Sequence, residues 1–202
     1  MRLIGFTLVV FVLMAGCALA DNLTPTDDAF VESTYPDNNF GNNVNLGVGV
    51  IASLTDISFL KFDLTDYASI ISASLYLYKK TGTGTVSVTA YSTSTDWNET
   101  GLTWNNKPAI SGVSAITSTG SANTWYAWNV TSFAQAAAGD QLSLAMTSGG
   151  YRVFHSSEGT FSPYLSVNGT LVPEPLSCAL FALGAVTLAM RRKRGKAMEL
   201  RK

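Results

Sequence analysis

The 202-residue chain holds one histidine, His155, and it stands four residues after Tyr151 and three after Arg152. A tyrosine grouped with Arg and His is the set that polysaccharide lyases of the β-elimination type use. Successive side chains of a strand point to opposite faces, however, so Tyr151, Val153 and His155 share one face while Arg152 takes the other. A single imidazole gives no His-rich metal site and no choice of parts for a Ser-His-Asp triad. The acids are scattered, so no pair of carboxylates with glycosidase spacing can be picked out. Both cysteines, Cys17 and Cys178, fall in apolar end segments, which leaves the part between them without thiolate chemistry or a disulfide. These residues describe a non-catalytic protein.

Binding chemistry is better supplied. Holding a sugar polymer takes flat aromatic faces for the rings, and polar or charged groups for hydroxyls and carboxylates. In "ISFLKFDL" (57–64), Leu60, Phe62 and Leu64 lie on one face and Phe59, Lys61 and Asp63 on the other. In "SLYLYKK" (74–80), Leu75 and Leu77 oppose Tyr76, Tyr78 and Lys80. Phe59, Lys61, Tyr76, Tyr78 and Lys80 are therefore candidate glycan contacts, and Arg152 is a further cation for a uronate carboxylate. The same aromatics can instead form a second core under a loop, and each cation can be solvated or paired with an acid. An exposed Tyr76/Tyr78 cluster with Lys61 near favours binding; a covered one favours a structural or adhesive protein with no dedicated glycan site. Trp97 and Trp104 flank a loop containing Glu99 and Pro108. Trp125 and Trp128 fall on opposite faces of one strand, so at most one is exposed. No cofactor is required, and calcium is the one ion suggested, because Asp27, Asp28, Asp37, Asn38 and Asn39 put hard oxygen ligands in one region. Asx clusters also make turns, and that is the competing reading.

The elements that must position these residues lie between Asp21 and Leu171, a length that suits one domain. That stretch carries twelve acids and five bases, a net charge of −7, while the basic residues crowd the chain's end. An acidic domain lacks the electrostatic footprint of a nucleic-acid binder. Short β-branched and aromatic runs recur between Gly, Asn, Ser and Thr clusters, which is the pattern of an all-β protein. Strands are expected at 57–64 and 74–80, at 85–91 after the Gly82/Gly84 turn, and at 123–130, 141–147, 151–156 and 163–171. One helix is expected over Ser132–Ala138, with Thr131 as N-cap and Gly139 at C′. The predicted fold is a jelly-roll-type β-sandwich of two antiparallel sheets with one short helix.

Four stretches together resemble a family. They are "DDAFVESTYPDNNFGNNVNLGVG" (27–49), "FLKFDLT" (59–65), "DWNETGLTWNNKP" (96–108) and "FHSSEGTFSPYLSV" (154–167). The series is similar to the DNRLRE domain, also called carbohydrate-binding module family 96, over nearly the whole of 21–171. The resemblance implies a β-sandwich that binds acidic polysaccharide, alginate being the type of substrate. Ser157 stands where many members place a basic residue, and Asn129 where an Asp usually precedes Val130-Thr131.

The ends read as sorting segments. Met1-Arg2, an apolar run and the small residues Ala18-Leu19-Ala20 make a signal peptide over 1–20, to be cut by signal peptidase at Ala18/Ala20. A rival cut before Cys17, at Met14-Ala15-Gly16-Cys17, would leave that cysteine lipidated. At the other end stand Pro173, Glu174 and Pro175, then an uncharged stretch 176–190, then Arg191, Arg192, Lys193 and Arg194, with a basic tail over 195–202. As a helix the apolar stretch reaches about 22 Å, so flanking arginines must snorkel to span a ~30 Å hydrocarbon core. Positive charge stays cytoplasmic, which puts everything before Pro173 outside. The ordered triplet in 172–194 is similar to the PEP-CTERM sorting signal of exopolysaccharide-producing Gram-negative bacteria. That resemblance implies a transient inner-membrane intermediate, cleavage by an exosortase-type transpeptidase, and release to the cell surface or extracellular matrix.

Overall fold

The computed structural model describes residues 18–110, 112 and 114–172. The expected leader before Ala18, the segment Pro173, Glu174, Pro175, the apolar stretch 176–190, the cluster Arg191, Arg192, Lys193, Arg194 and the tail lie outside the described residues. Among the described residues no helix is long and apolar enough to cross a membrane.

The strands are β1 (Ala18–Leu23), β2 (Asp27–Glu32), β3 (Asn45–Ile51), β4 (Leu54–Asp63), β5 (Tyr67–Thr81), β6 (Val86–Thr93), β7 (Ser114–Thr119), β8 (Thr124–Asn129), β9 (Gln141–Ser148), β10 (Arg152–His155) and β11 (Tyr164–Leu171). A helix, α1 (Thr131–Ala136), follows β8. The chain is all-β, and every strand pairing is antiparallel. One layer carries β1, β11, β5, β8 and β10; the other carries β2, β4, β9, β6 and β7. The layers share β3, whose first half pairs with β10 and whose second half pairs with β4. The sandwich is therefore one hydrogen-bonded path folded over itself. Gly49, at φ 108°, takes the backbone through this passage in a conformation that a side chain would strain.

Alternation places the core. Leu60, Phe62 and Leu64 from one layer meet Leu75, Leu77, Trp128, Phe154 and Leu165 from the other, all fully buried. Trp128 satisfies its indole N–H on the Val88 carbonyl at 2.8 Å, which lets the largest side chain of the core be buried without a lost hydrogen bond. The first half of β5 was not expected as strand, because bulges opposite Asn168/Gly169 and Thr170/Leu171 break its period. Strand β7 was also not expected: "SAITST" is mostly Ser and Thr and sits at the end of the path, with little to bury.

Helix α1 departs from its expected cap. Its N-cap is Val130, and the Thr131 hydroxyl instead pairs with the Ala73 backbone, accepting from the N–H and donating to the carbonyl. Asn129 Oδ1 accepts the Thr131 N–H at 3.1 Å, a turn that an Asp at this position would make equally well. The helix stops at Ala136, two residues short of the expected end, with Ala137 as its C-cap, so Gly139, at φ 83°, lies one residue beyond the C′ position expected for it. Strand β1 begins inside the expected leader, with Ala18, Leu19 and Ala20 paired to Thr170, Gly169 and Asn168.

Candidate functional site

Strand β4 is covered on both faces. Phe59 is fully buried in a second core with Ala29, Val31, Ile57, Trp97, Leu102 and Ala145. The loop 94–110 folds over this face, and Trp97 anchors it by donating its indole N–H to Ser143 Oγ at 2.9 Å. Lys61 is 5% exposed. Its ammonium donates to the Trp97 carbonyl, lies 3.4 Å from Asp27 Oδ2 and sits 4.6 Å from the Trp97 ring centre. Phe59 and Lys61 are thus corrected from glycan contacts to parts of the fold. A cation in a closed pocket with a carboxylate, a carbonyl and a ring already has every partner it can use.

Arg152 is corrected in the same way. It is 3% exposed and donates to the Tyr151 carbonyl at 2.6 Å and to the Gly84 carbonyl at 2.9 Å. Beside it the fully buried Lys79 donates to the Gly82 and Gly120 carbonyls. Burial, with Arg152 nearby, pushes the Lys79 ammonium below its usual range. The two cations hold the connections that close one end of the sandwich. Tyr151 gives its hydroxyl to Asp56 Oδ2 at 2.9 Å. Arg152 faces inward and His155 lies on the outer face of β10, so Tyr151, Arg152 and His155 assemble no lyase site.

The outer face of the β5 layer is different. Register pairs Tyr78 with Trp125 and Tyr76 with both Ala127 and Tyr164, so these side chains share one surface. Phe161, from the loop before β11, joins them. Tyr76 stacks on Tyr164 at 4.7 Å, and Tyr78 on Phe161 at 4.1 Å. Trp125 touches Tyr78, Tyr164 and Phe161 only edge-on, at 78°, 65° and 85° between ring planes. It is 38% exposed, whereas Trp128 is buried, so the two tryptophans divide between the faces as their spacing predicts. No other ring stacks parallel on it. Tyr76 and Tyr78, the expected stacking residues, instead spend ring faces on Tyr164 and Phe161 and brace Trp125. Tyr164 and Phe161 were missed because their strand and loop carried no alternating aromatic signal.

Two ionisable groups border this cluster. Lys80 is exposed and donates to Asn45 Oδ1 at 2.9 Å. His155 packs against Tyr78 and Phe161 at 5.7 and 5.5 Å, and burial, then Lys80, push its imidazole below the usual range.

The expected calcium residues are dispersed. Asp27 pairs with Lys61, Asp37 accepts from Asn105 at 2.7 Å, and the Asn38 N–H closes a turn on the Tyr35 carbonyl. Asn39 donates to the Glu99 and Leu102 carbonyls, at 2.6 and 2.8 Å. Asp28 enters a carboxylate cluster with Glu99 and Glu158, one oxygen of each lying within 4.8 Å of the others. Asp28 Oδ2 accepts the Ser157 N–H at 2.8 Å, and the single Ser157 hydroxyl proton is shared between Asp28 Oδ1 at 3.2 Å and Glu158 Oε1 at 2.9 Å. Burial pushes the Asp28 carboxyl up to about 7, and Glu99 rises through burial and the neighbouring Glu158.

The sequence model of carbohydrate-binding module family 96 matches residues 20–169, from within β1 almost to the end of β11. The chain belongs to this family. The module's matched region contains both cores and the Trp125 cluster. No curated protein matches the chain.

Proposed function

We propose that the module binds polysaccharide by stacking a sugar ring on Trp125, without catalysing a reaction on it. The observation that carries this reading is an exposed indole met only edge-on by three aromatic rings. The exposed Trp125 and Phe161 form one contiguous cluster with the half-buried Tyr76, Tyr78 and Tyr164, and a contiguous apolar patch on a surface marks a ligand or partner site. An acidic glycan would be met by Lys80, since Lys61 and Arg152 turn inward. The sorting segments support export of the chain, an inner-membrane intermediate, exosortase-type processing near Pro173-Glu174-Pro175, and a final place at the cell surface or matrix of a Gram-negative bacterium.

Binding of the full chain to a panel of polysaccharides, beside Trp125→Ala and Tyr78→Ala, tests the reading. Trp125→Ala is expected to lose about 0.5–1.5 kcal/mol beyond the lost area, roughly a several-fold weakening or more. Tyr78→Ala should weaken binding less, through loss of the brace. Unchanged binding in Trp125→Ala would refute the site and favour a structural or adhesive matrix protein.

A further inference from the structure

The outward face of the β5 layer does not end at its aromatics. Register pairs Ser74 with Asn129 of β8 and with Ser166 of β11, and Ser72 with Asn168. Partners across antiparallel strands share a face, so a patch of hydroxyls and amides follows the rings on the same surface. Ser72 and Asn129 are exposed, and Ser74, Ser166 and Asn168 half-exposed. Side-chain hydrogen bonds nearby join Ser69 to Thr170, Thr131 to Ala73 and Asn129 to Thr131. That leaves the side chains of Ser72, Ser74, Ser166 and Asn168 without a partner among the described residues. Exposed hydroxyls and amides with free lone pairs and protons are what a sugar's hydroxyls need.

The track is long and uncharged. From Ser72 to Tyr78 the strand advances about 20 Å, enough for several sugar residues. No acidic or basic side chain occupies the outward positions of β5 from Ser72 to Tyr78, of β8 from Trp125 to Asn129, or of β11 from Tyr164 to Asn168. Of the five bases between Asp21 and Leu171, Lys61, Lys79 and Arg152 are buried, while that stretch carries a net charge of −7. A polyuronate approaching this face would meet one cation, Lys80, at one end, within a field of its own sign.

We infer that this face binds an uncharged polysaccharide lying along β5, with several consecutive sugars held between Trp125 and the Ser74–Ser166–Asn168 end. The inference rests on the Trp125 site and adds to it the polar track and the charge class of the ligand.

Titration calorimetry of the full chain in detergent tests both additions. The probes are cello- and manno-oligosaccharides from disaccharide to hexasaccharide, hydroxyethylcellulose, glucomannan and alginate, each in low and high salt. A neutral probe is expected to bind with little salt dependence, and its hexasaccharide roughly tenfold more tightly than its disaccharide. Ser74→Ala with Ser166→Ala should remove most of that length gain and leave the disaccharide unchanged, because neither hydroxyl supports the fold. Asn168→Ala gives an independent second variant at the far end. Binding of alginate alone, weakened steeply by salt, overturns the charge class. A length gain that survives the Ser74/Ser166 and Asn168 variants overturns the track while leaving Trp125 in place. Neutral binding untouched by Trp125→Ala overturns the underlying site and the track with it, as does binding to none of the probes.

Discussion

Lys61 stands over the Trp97 indole at 4.6 Å and donates to the carbonyl of that same residue, so one cation ties the loop 94–110 to strand β4. Removing it leaves a buried carbonyl without its donor and the half-buried Asp27 without its ion pair. Lys61→Ala is expected to destabilise the domain by about 1–3 kcal/mol, lowering its melting temperature by several degrees. Lys61→Met, which keeps the stem against the ring, should recover part of that loss. Neither variant should alter glycan binding, because Lys61 and Trp125 lie on separate layers. Calorimetry with and without a bound polysaccharide measures both effects.

This pair also shows where sequence reasoning stops. Alternation in 57–64 and 74–80 correctly separates Leu60, Phe62, Leu75 and Leu77 from their neighbours, because a sheet with one apolar face leaves a period of two. The period says nothing of what covers the other face. Phe59-Lys61 and Tyr78-Lys80 carry the same pattern, yet a loop from 36 residues away closes over the first and leaves the second open. The site itself was half legible: Tyr76, Tyr78 and the division of Trp125 from Trp128 follow from spacing. The alignment of Trp125 and Tyr164 on either side of β5 depends on strand register, which no local pattern encodes. Arg152 misleads for a related reason, since a buried cation that donates to backbone carbonyls looks like any surface base in a sequence.

Asp56 gives the fold a dependence on pH. Burial raises its carboxyl to about 6, and the Tyr151 hydroxyl opposes that rise by donating to the charged form. A carboxyl whose folded pKa exceeds its unfolded value of about 3.9 binds protons more tightly in the native state. Stability therefore falls as pH rises from about 4 to 6 and then levels off with respect to this group. Asp28, raised to about 7, acts in the same direction over a wider span. The melting temperature is expected to be higher at mildly acidic than at mildly alkaline pH. Tyr151→Phe removes the donor, so it should destabilise more at alkaline than at acidic pH. Equal losses at both would show that the hydroxyl does not bear on the charge of Asp56.

The Asp28–Glu99–Glu158 cluster separates a proton from a calcium ion. Ser157 donates its N–H to Asp28 and shares its hydroxyl proton between Asp28 and Glu158. Chelation by EDTA at neutral pH is expected to leave the melting temperature unchanged, and added calcium to raise it little. A drop of many degrees on chelation, restored by calcium and abolished in Glu99→Gln, would instead place the ion here. Calcium would then also remove the pH dependence contributed by Asp28, because a bound cation favours the charged carboxylate.

Processing at the two ends has different structural consequences. Strand β11 finishes at Leu171, so cleavage near Pro173-Glu174-Pro175 leaves every strand whole. Cleavage after Ala20 removes Ala18, Leu19 and Ala20 from β1 and keeps only Asp21, Asn22 and Leu23 paired with Val167, Ser166 and Leu165. A cut before Cys17 would retain all of β1. Expressed in a host with the matching exosortase, the chain is expected to reach the envelope or medium beginning at Asp21 and lacking everything after the Pro-Glu-Pro region. Intact-mass measurement of both fractions decides each end separately. A mass requiring an acylated Cys17 selects the lipoprotein route, under which β1 stays complete and the domain should melt at a higher temperature than a version starting at Asp21. Extracellular protein still ending at Lys202 would defeat the exosortase proposal without touching the glycan site, since Trp125 and its neighbours lie wholly between the two cuts.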